Sequence, residues 1–294
     1  GGSPVVRLMR FYKNFQRIDF VTELNDVPDS TVVVAEFPLI EVPLEIRRGI
    51  PFGFSHAAWS KSNENLHDHP EGIKPIVRWI DYTFQDGSGL AILDRGLSGR
   101  EINENIPIIY LFNSIDKYYG YPNPWLSGKG KHLLEYALVP HKEEWDIARI
   151  PQRAWEYNSP VIVTNKTASK STVSFVQTSD NVIVEAIRRE GNEIEVRLVE
   201  CLGKGGNTTV KVKIPHISAA LTNFLGNHSQ PVTGKGKYTF EIKPQQIITL
   251  RLKTESTVKE IEPLISWDEL VPPVKRAALK NYQVDKKGHP PRGE

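Results

Sequence analysis

The chain has 294 residues, of which 39% are hydrophobic and 24% charged, and its formal net charge is +2. Such a composition belongs to a globular protein with a sizeable core, and the near-neutral balance leaves no electrostatic footprint for nucleic acid. No apolar run approaches the ~20 residues of a membrane-spanning helix, and the single cysteine, Cys201, excludes both an internal disulfide and a cysteine-built zinc cluster.

The opening GGSPVVRLMRF has no initiator methionine and no signal-peptide stretch, and it enters a strand-like run almost at once. The expectation is a piece of a longer polypeptide. In Gln16–Leu24, Ile18, Phe20 and Leu24 alternate with Arg17, Asp19 and Glu23, the pattern of a half-buried antiparallel strand. The fuller apolar runs TVVVAEF, GLAIL and PIIYLF suit central strands covered on both faces. Asp86-Gly87-Ser88-Gly89 reads as a hairpin turn between strands.

Further on, alternation over GKHLLEYALVPHKEEW puts His132, Leu134, Tyr136 and Leu138 on one face and ends at Pro140. His132 and Tyr136 are expected to be partly buried, and His141 to be the freer imidazole. His141–Arg149 has room for two helical turns, with Pro151 as the stop. A polar stretch, NKTASKST at Asn165–Thr172, suggests a boundary. Beyond it, short alternating strands at Glu193–Cys201, Thr209–Ile214 and Tyr238–Lys243 are separated by Gly203–Gly206 and Gly234–Gly236. Ser266 and Glu269 form a capping box that Pro272-Pro273 cuts short.

These elements predict an all-β protein with few short helices. A large β sandwich is assigned to residues 1–165 and a smaller antiparallel β sandwich to 170–253. Residues 254–294 read as an extended basic tail or linker.

Candidate chemistry is sparse. Asp94 and Arg95 end a buried-looking strand, where they are placed for bidentate contact with hydroxyl or carboxylate groups, or for an ion pair that fixes the loop. Tyr121 and Trp125 lie in the long loop GYPNPWLSGKGKH and offer flat faces for a sugar ring, or pin the loop itself. His67-Asp68-His69 has metal-chelating spacing in a loop that lacks a third ligand. No phosphate loop or nucleophile elbow occurs, and no pair of carboxylates stands out as glycosidase machinery.

Several segments in order resemble the C-terminal β region of glycoside hydrolase family 38, the α-mannosidases. They are the strand pair ending in Phe37-Pro38, RGIPFGF, PIVRWIDYTFQDGSGLAILDRGLSGREI, the Tyr136-Ala137-Leu138-Val139-Pro140-His141 segment, and the closing EIKPQQIITLRL. The resemblance covers about residues 1–253. It implies that the large unit is the later part of a supersandwich of the galactose mutarotase type. It also implies a retaining α-mannosidase whose nucleophile and zinc ligands sit in an N-terminal α/β domain with no counterpart here.

The sequence therefore assigns no catalytic residue, metal ligand or cofactor to this chain, and zinc is expected in the catalytic domain of the same polypeptide. That domain and mannose-containing glycans are the expected partners, with no nucleic acid and no membrane. Asp94, Arg95, Tyr121 and Trp125 are the expected sugar contacts. The alternative is a free-standing carbohydrate-binding module. A self-contained epimerase or lyase using His132 or His141, and a purely structural sandwich, are further rivals.

Overall fold

The computed structural model describes residues 5–58, 74–118, 121–122, 126–162 and 174–255. His67–His69, the boundary stretch at Asn165–Thr172, the Ser266 capping box and Trp125 lie outside the described residues.

The chain opens with a hairpin of β1 (Val5–Tyr12) and β2 (Phe15–Asn25), followed by β3 (Thr31–Glu36). A second hairpin joins β4 (Glu45–Ile50) to β5 (Gly53–Ala58). Next come β6 (Lys74–Pro75), β7 (Trp79–Thr83), β8 (Gly89–Asp94), β9 (Gly99–Asn103) and β10 (Ile106–Ser114). The short pair β11 (Lys117–Tyr118) and β12 (Tyr121–Pro122) precedes the long β13 (Lys131–His141) and one helix, α1 (Ile150–Asn158). The remaining strands are short: β14 (Val176–Thr178), β15 (Val182–Glu190), β16 (Glu193–Glu200) and β17 (Gly206–Val212). They continue as β18 (Ser218–Thr222), β19 (Gln230–Val232), β20 (Lys237–Ile242) and β21 (Ile247–Lys253). The protein is all-β, as its alternating sequence requires.

The centre is a seven-stranded sheet in the order β1-β2-β13-β8-β7-β4-β5. A four-stranded sheet, β3-β10-β9-β6, packs on one of its faces. Between them the Phe20 and Tyr136 rings stack with centroids 5.1 Å apart, and Phe37 meets both edge-on. Tyr136 is fully buried, and its hydroxyl pairs with that of Thr22 at 3.1 Å. The other face of the central sheet is covered too. Trp79 and Trp145 stack there at 5.8 Å, with Phe54, Leu93, Val139 and α1 around them. Burying each such large side chain is worth about 1.5–3 kcal/mol.

The later strands form a three-stranded sheet, β14-β17-β20, and a five-stranded one, β15-β16-β21-β18-β19, enclosing Val196, Leu198, Val210, Leu250 and Leu252. Here the period-two reading holds closely, with Ile194, Val196 and Leu198 turned to this core.

Two expectations need correction. The apolar run TVVVAEF suits a central strand, yet β3 is an edge strand with Val32 and Val34 exposed on its outer side. The helix begins where it was expected to stop, because Pro151 occupies its first turn. A proline there forfeits no hydrogen bond, since first-turn N–H groups have no intrahelical acceptor, and its fixed φ favours the helix.

Candidate functional site

Asp94 and Arg95, adjacent in sequence, turn in opposite directions. Asp94 lies opposite Tyr136 in register, facing the core shared with the four-stranded sheet, and is 2% exposed. Its Oδ1 accepts from the Leu97 amide at 2.9 Å and its Oδ2 from Arg100 Nη2 at 3.0 Å. Arg100, 1% exposed, also donates to the Leu97 carbonyl at 2.6 Å and the Gly99 carbonyl at 2.8 Å. Burial pushes the Asp94 carboxyl above the usual carboxylate range, while the Arg100 charge and the Leu97 amide pull against it. The Asp–Arg pair that fixes this loop is thus Asp94–Arg100, with no part for Arg95.

Arg95 reaches outward to α1. Its Nε and Nη2 donate to the Tyr157 carbonyl at 3.0 and 2.7 Å, and Nη1 donates to Glu135 Oε2 at 2.8 Å. Its guanidinium also lies 4.6 Å from the centre of the Tyr157 ring, and that of Arg17 lies 5.0 Å from it. A guanidinium on a last-turn carbonyl satisfies an acceptor that the helix itself leaves free. Asn158 adds a bond from its amide to the Asp94 carbonyl at 2.9 Å. The end of β8 and the end of α1 are clamped together.

Beside this clamp an open cleft of about 640 Å³ is lined by Phe15, Arg17, Arg95, Trp155, Tyr157 and Ile183. It lies along the seam where strands of the later group meet α1. Arg78 stacks on Trp155 with its guanidinium 3.9 Å from the ring centre. Of the four residues expected to touch sugar, Arg95 alone is seen in this cleft. Tyr121 opens β12 but its side chain lies outside the description, as does the whole of Trp125.

The histidines divide differently from expectation. His132 is half-buried, with Nε2 3.1 Å from the Gly128 carbonyl and its ring against Phe112. His141, read as the freer imidazole, is buried. Its Nε2 lies 2.7 Å from Asp81 Oδ1 and its Nδ1 2.7 Å from the Glu143 carbonyl. Both partners are acceptors, an arrangement that favours the doubly protonated imidazolium beside Asp81. Burial pulls the imidazole down, but the hydrogen bond and charge of Asp81, helped by the Glu143 carbonyl, raise it overall. Local alternation could not reveal this, because Asp81 lies 60 residues away.

Among the described residues no group of three or more His, Cys, Asp or Glu side chains is arranged to hold a metal ion. The residues seen do not fit a zinc site, and no step is assigned to a metal on this chain. Cys201 is buried, and burial pushes its thiol up to about 12, so it stays protonated.

Residues 181–250, which span β15 to β20 and the start of β21, match the profile of the glycosyl hydrolases family 38 C-terminal beta sandwich domain. Human alpha-mannosidase 2C1 is 24% identical over 188 residues, a stretch covering 60% of this chain and 17% of that protein. The crystal structure of an alpha-mannosidase from Enterococcus faecalis V583 superposes with a TM-score of 0.69 at 15% identity over 85% of this chain. The family 38 likeness thus rests on residues 181–250, and the fold is shared over most of the chain. A second family 38 structure from Enterococcus faecalis gives a TM-score of 0.67 at 14% identity, again over 85% of the chain. The chain spans 29% and 30% of those two solved chains, and 17% of the human protein.

Proposed function

We propose that this chain works as the C-terminal β region of an α-mannosidase-like glycoside hydrolase. In this reading it packs on a catalytic domain of the same polypeptide and forms one edge of the cleft that receives a mannose-containing glycan. The observation that carries the reading is the superposition on an alpha-mannosidase over 85% of this chain, at a TM-score of 0.69, by a region that makes up 29% of that enzyme. Retaining chemistry, with its nucleophile and zinc, belongs in this reading to the catalytic domain. The division into a large unit over 1–165, a small unit over 170–253 and a tail is part of the same proposal.

The cleft beside Arg95 is the proposed glycan-facing surface. It combines half-buried Trp155, which offers a flat apolar face, with the free N–H groups of Arg95, which suit sugar hydroxyls. Asp94 takes no direct part in this reading, because its oxygens are engaged in the core.

The test is Arg95→Ala in the longer enzyme, with melting temperature recorded beside kcat/KM for mannosides. A fall in kcat/KM beyond the loss of folded protein supports the assignment, and an unchanged kcat/KM overturns it. Calorimetric titration of the present chain with mannosides separates the alternative. Saturable binding without flanking polypeptide favours a free-standing carbohydrate-binding module.

A further inference from the structure

Among the described residues the first strand is unlike every other long strand. All eight residues of β1 are exposed, although six of them, Val5, Val6, Leu8, Met9, Phe11 and Tyr12, are large and apolar. Its register with β2 sets Val5, Met9 and Phe11 on the face shared with Leu24, Phe20 and Ile18, and Val6 and Leu8 on the face of Glu23 and Val21. Each face therefore carries three large apolar side chains and one arginine, Arg7 on the first and Arg10 on the second, more apolar surface than a strand open to water on both sides carries. The four-stranded sheet does not reach this far, since the core beneath it takes in Phe20 and Ile18 of β2 but no residue of β1.

β1 also ends the seven-stranded sheet. Alternate residues of an edge strand point N–H and C=O groups outward with no strand to receive them. A long apolar edge of this kind is a pairing template, and natural proteins cover it. A second copy of the chain is a poor cover. Antiparallel self-pairing of Val5–Tyr12 about a two-fold axis sets Arg7 of each copy against Arg10 of the other. Like charges directly opposite destabilise a strand pair.

We propose that β1 is an interior strand in the working protein, completed along its free edge by one further strand of the same longer polypeptide. The added strand is apolar toward both faces and carries carboxylates opposite Arg7 and Arg10. This inference rests on the reading of the chain as part of a longer enzyme, and it adds which edge receives the rest of the polypeptide. The interaction is strand addition, in which backbone bonds provide the hold and the alternate side chains provide the register.

The experiment compares hydrogen exchange at the β1 amides in this chain alone and in the chain extended by its natural flanking sequence. The outward amides should exchange freely in the chain alone and slow by at least ~100-fold in the extended protein. Equal rates in both proteins overturn the proposal. Protection in the chain alone that grows with protein concentration also overturns it, since a second copy then covers the edge. The pair of substitutions Leu8→Glu and Met9→Glu should leave the melting temperature of the chain alone unchanged and abolish the protection in the extended protein. Mannoside hydrolysis by the same extended sample keeps the two readings apart. Protection without activity sinks the enzyme reading and retains the strand, and activity without protection does the reverse.

Discussion

The two strand groups of this protein bury charge in different ways. In the later group, Val196, Leu198, Val210 and Leu250 fill a two-layer core and charged neighbours such as Lys211 and Glu241 stay in solvent, while buried Glu195 and Glu200 are held at its margin by arginines and by backbone amides. In the earlier group the middle strands β7 and β8 of the central sheet are covered on both faces, so nearly every residue there is buried whichever way it points. Asp19, Asp81, Asp94, Arg100 and His141 all lie inside it. A sheet with two covered faces has no place to discard a charge, so each must find a partner across the fold.

Substitutions should expose that difference. The largest effect is expected from Arg100→Leu, which leaves Asp94 buried without its cation and should cost about 3–5 kcal/mol. Urea unfolding measures it, and adding Asp94→Asn should restore part of the loss. A cost under ~1 kcal/mol would mean that the pair is hydrated in solution. In the later group the comparable probe is apolar. Leu198→Ala, at a fully buried position, should cost about 3 kcal/mol through the cavity it opens.

The His141–Asp81 pair gives a dependence on pH. Its folded-state imidazole is raised above the ordinary value of 6.5. The stabilisation is therefore complete below that value and is lost as pH rises through the higher folded one. Unfolding midpoints taken from about pH 6 to about pH 9 should fall more steeply for the native chain than for His141→Gln. Matching slopes would show that the ring is neutral. At the low end, Lys211→Gln on the solvent side of β17 should change stability by no more than ~0.5 kcal/mol.

The same contrast explains what the sequence could tell. Glu193–Cys201 and Tyr238–Lys243 were readable as strands with a correct inward face, because alternation against solvent is a local signal. Their outward sides were less so, since Glu195 is buried among Arg188 and Arg251. In the earlier group, charge no longer marked the outside. Asp19 stood in an alternating pattern as a surface residue, and it is buried beside Arg17 and Tyr12. Arg95 stands out at a strand end, but its partner Tyr157 lies 62 residues further on, in a helix that Pro151 starts rather than stops. Arg100, Asp81 and Trp155, which complete the two buried pairs and the cleft, gave no local sign at all.

The helix that Arg95 clamps has a consequence for anyone who wishes to recombine these pieces. Gln152 of α1 donates to the Asp180 carbonyl at 2.6 Å, Leu202 packs among the tryptophans beneath the helix, and Phe54 N–H reaches Gln245 at 3.3 Å. Stitching therefore runs both ways across the seam. A chimera that exchanged only the strands after residue 174 would inherit a mismatched joint, and a crossover is better placed upstream of α1, so that helix and later strands travel as one cassette.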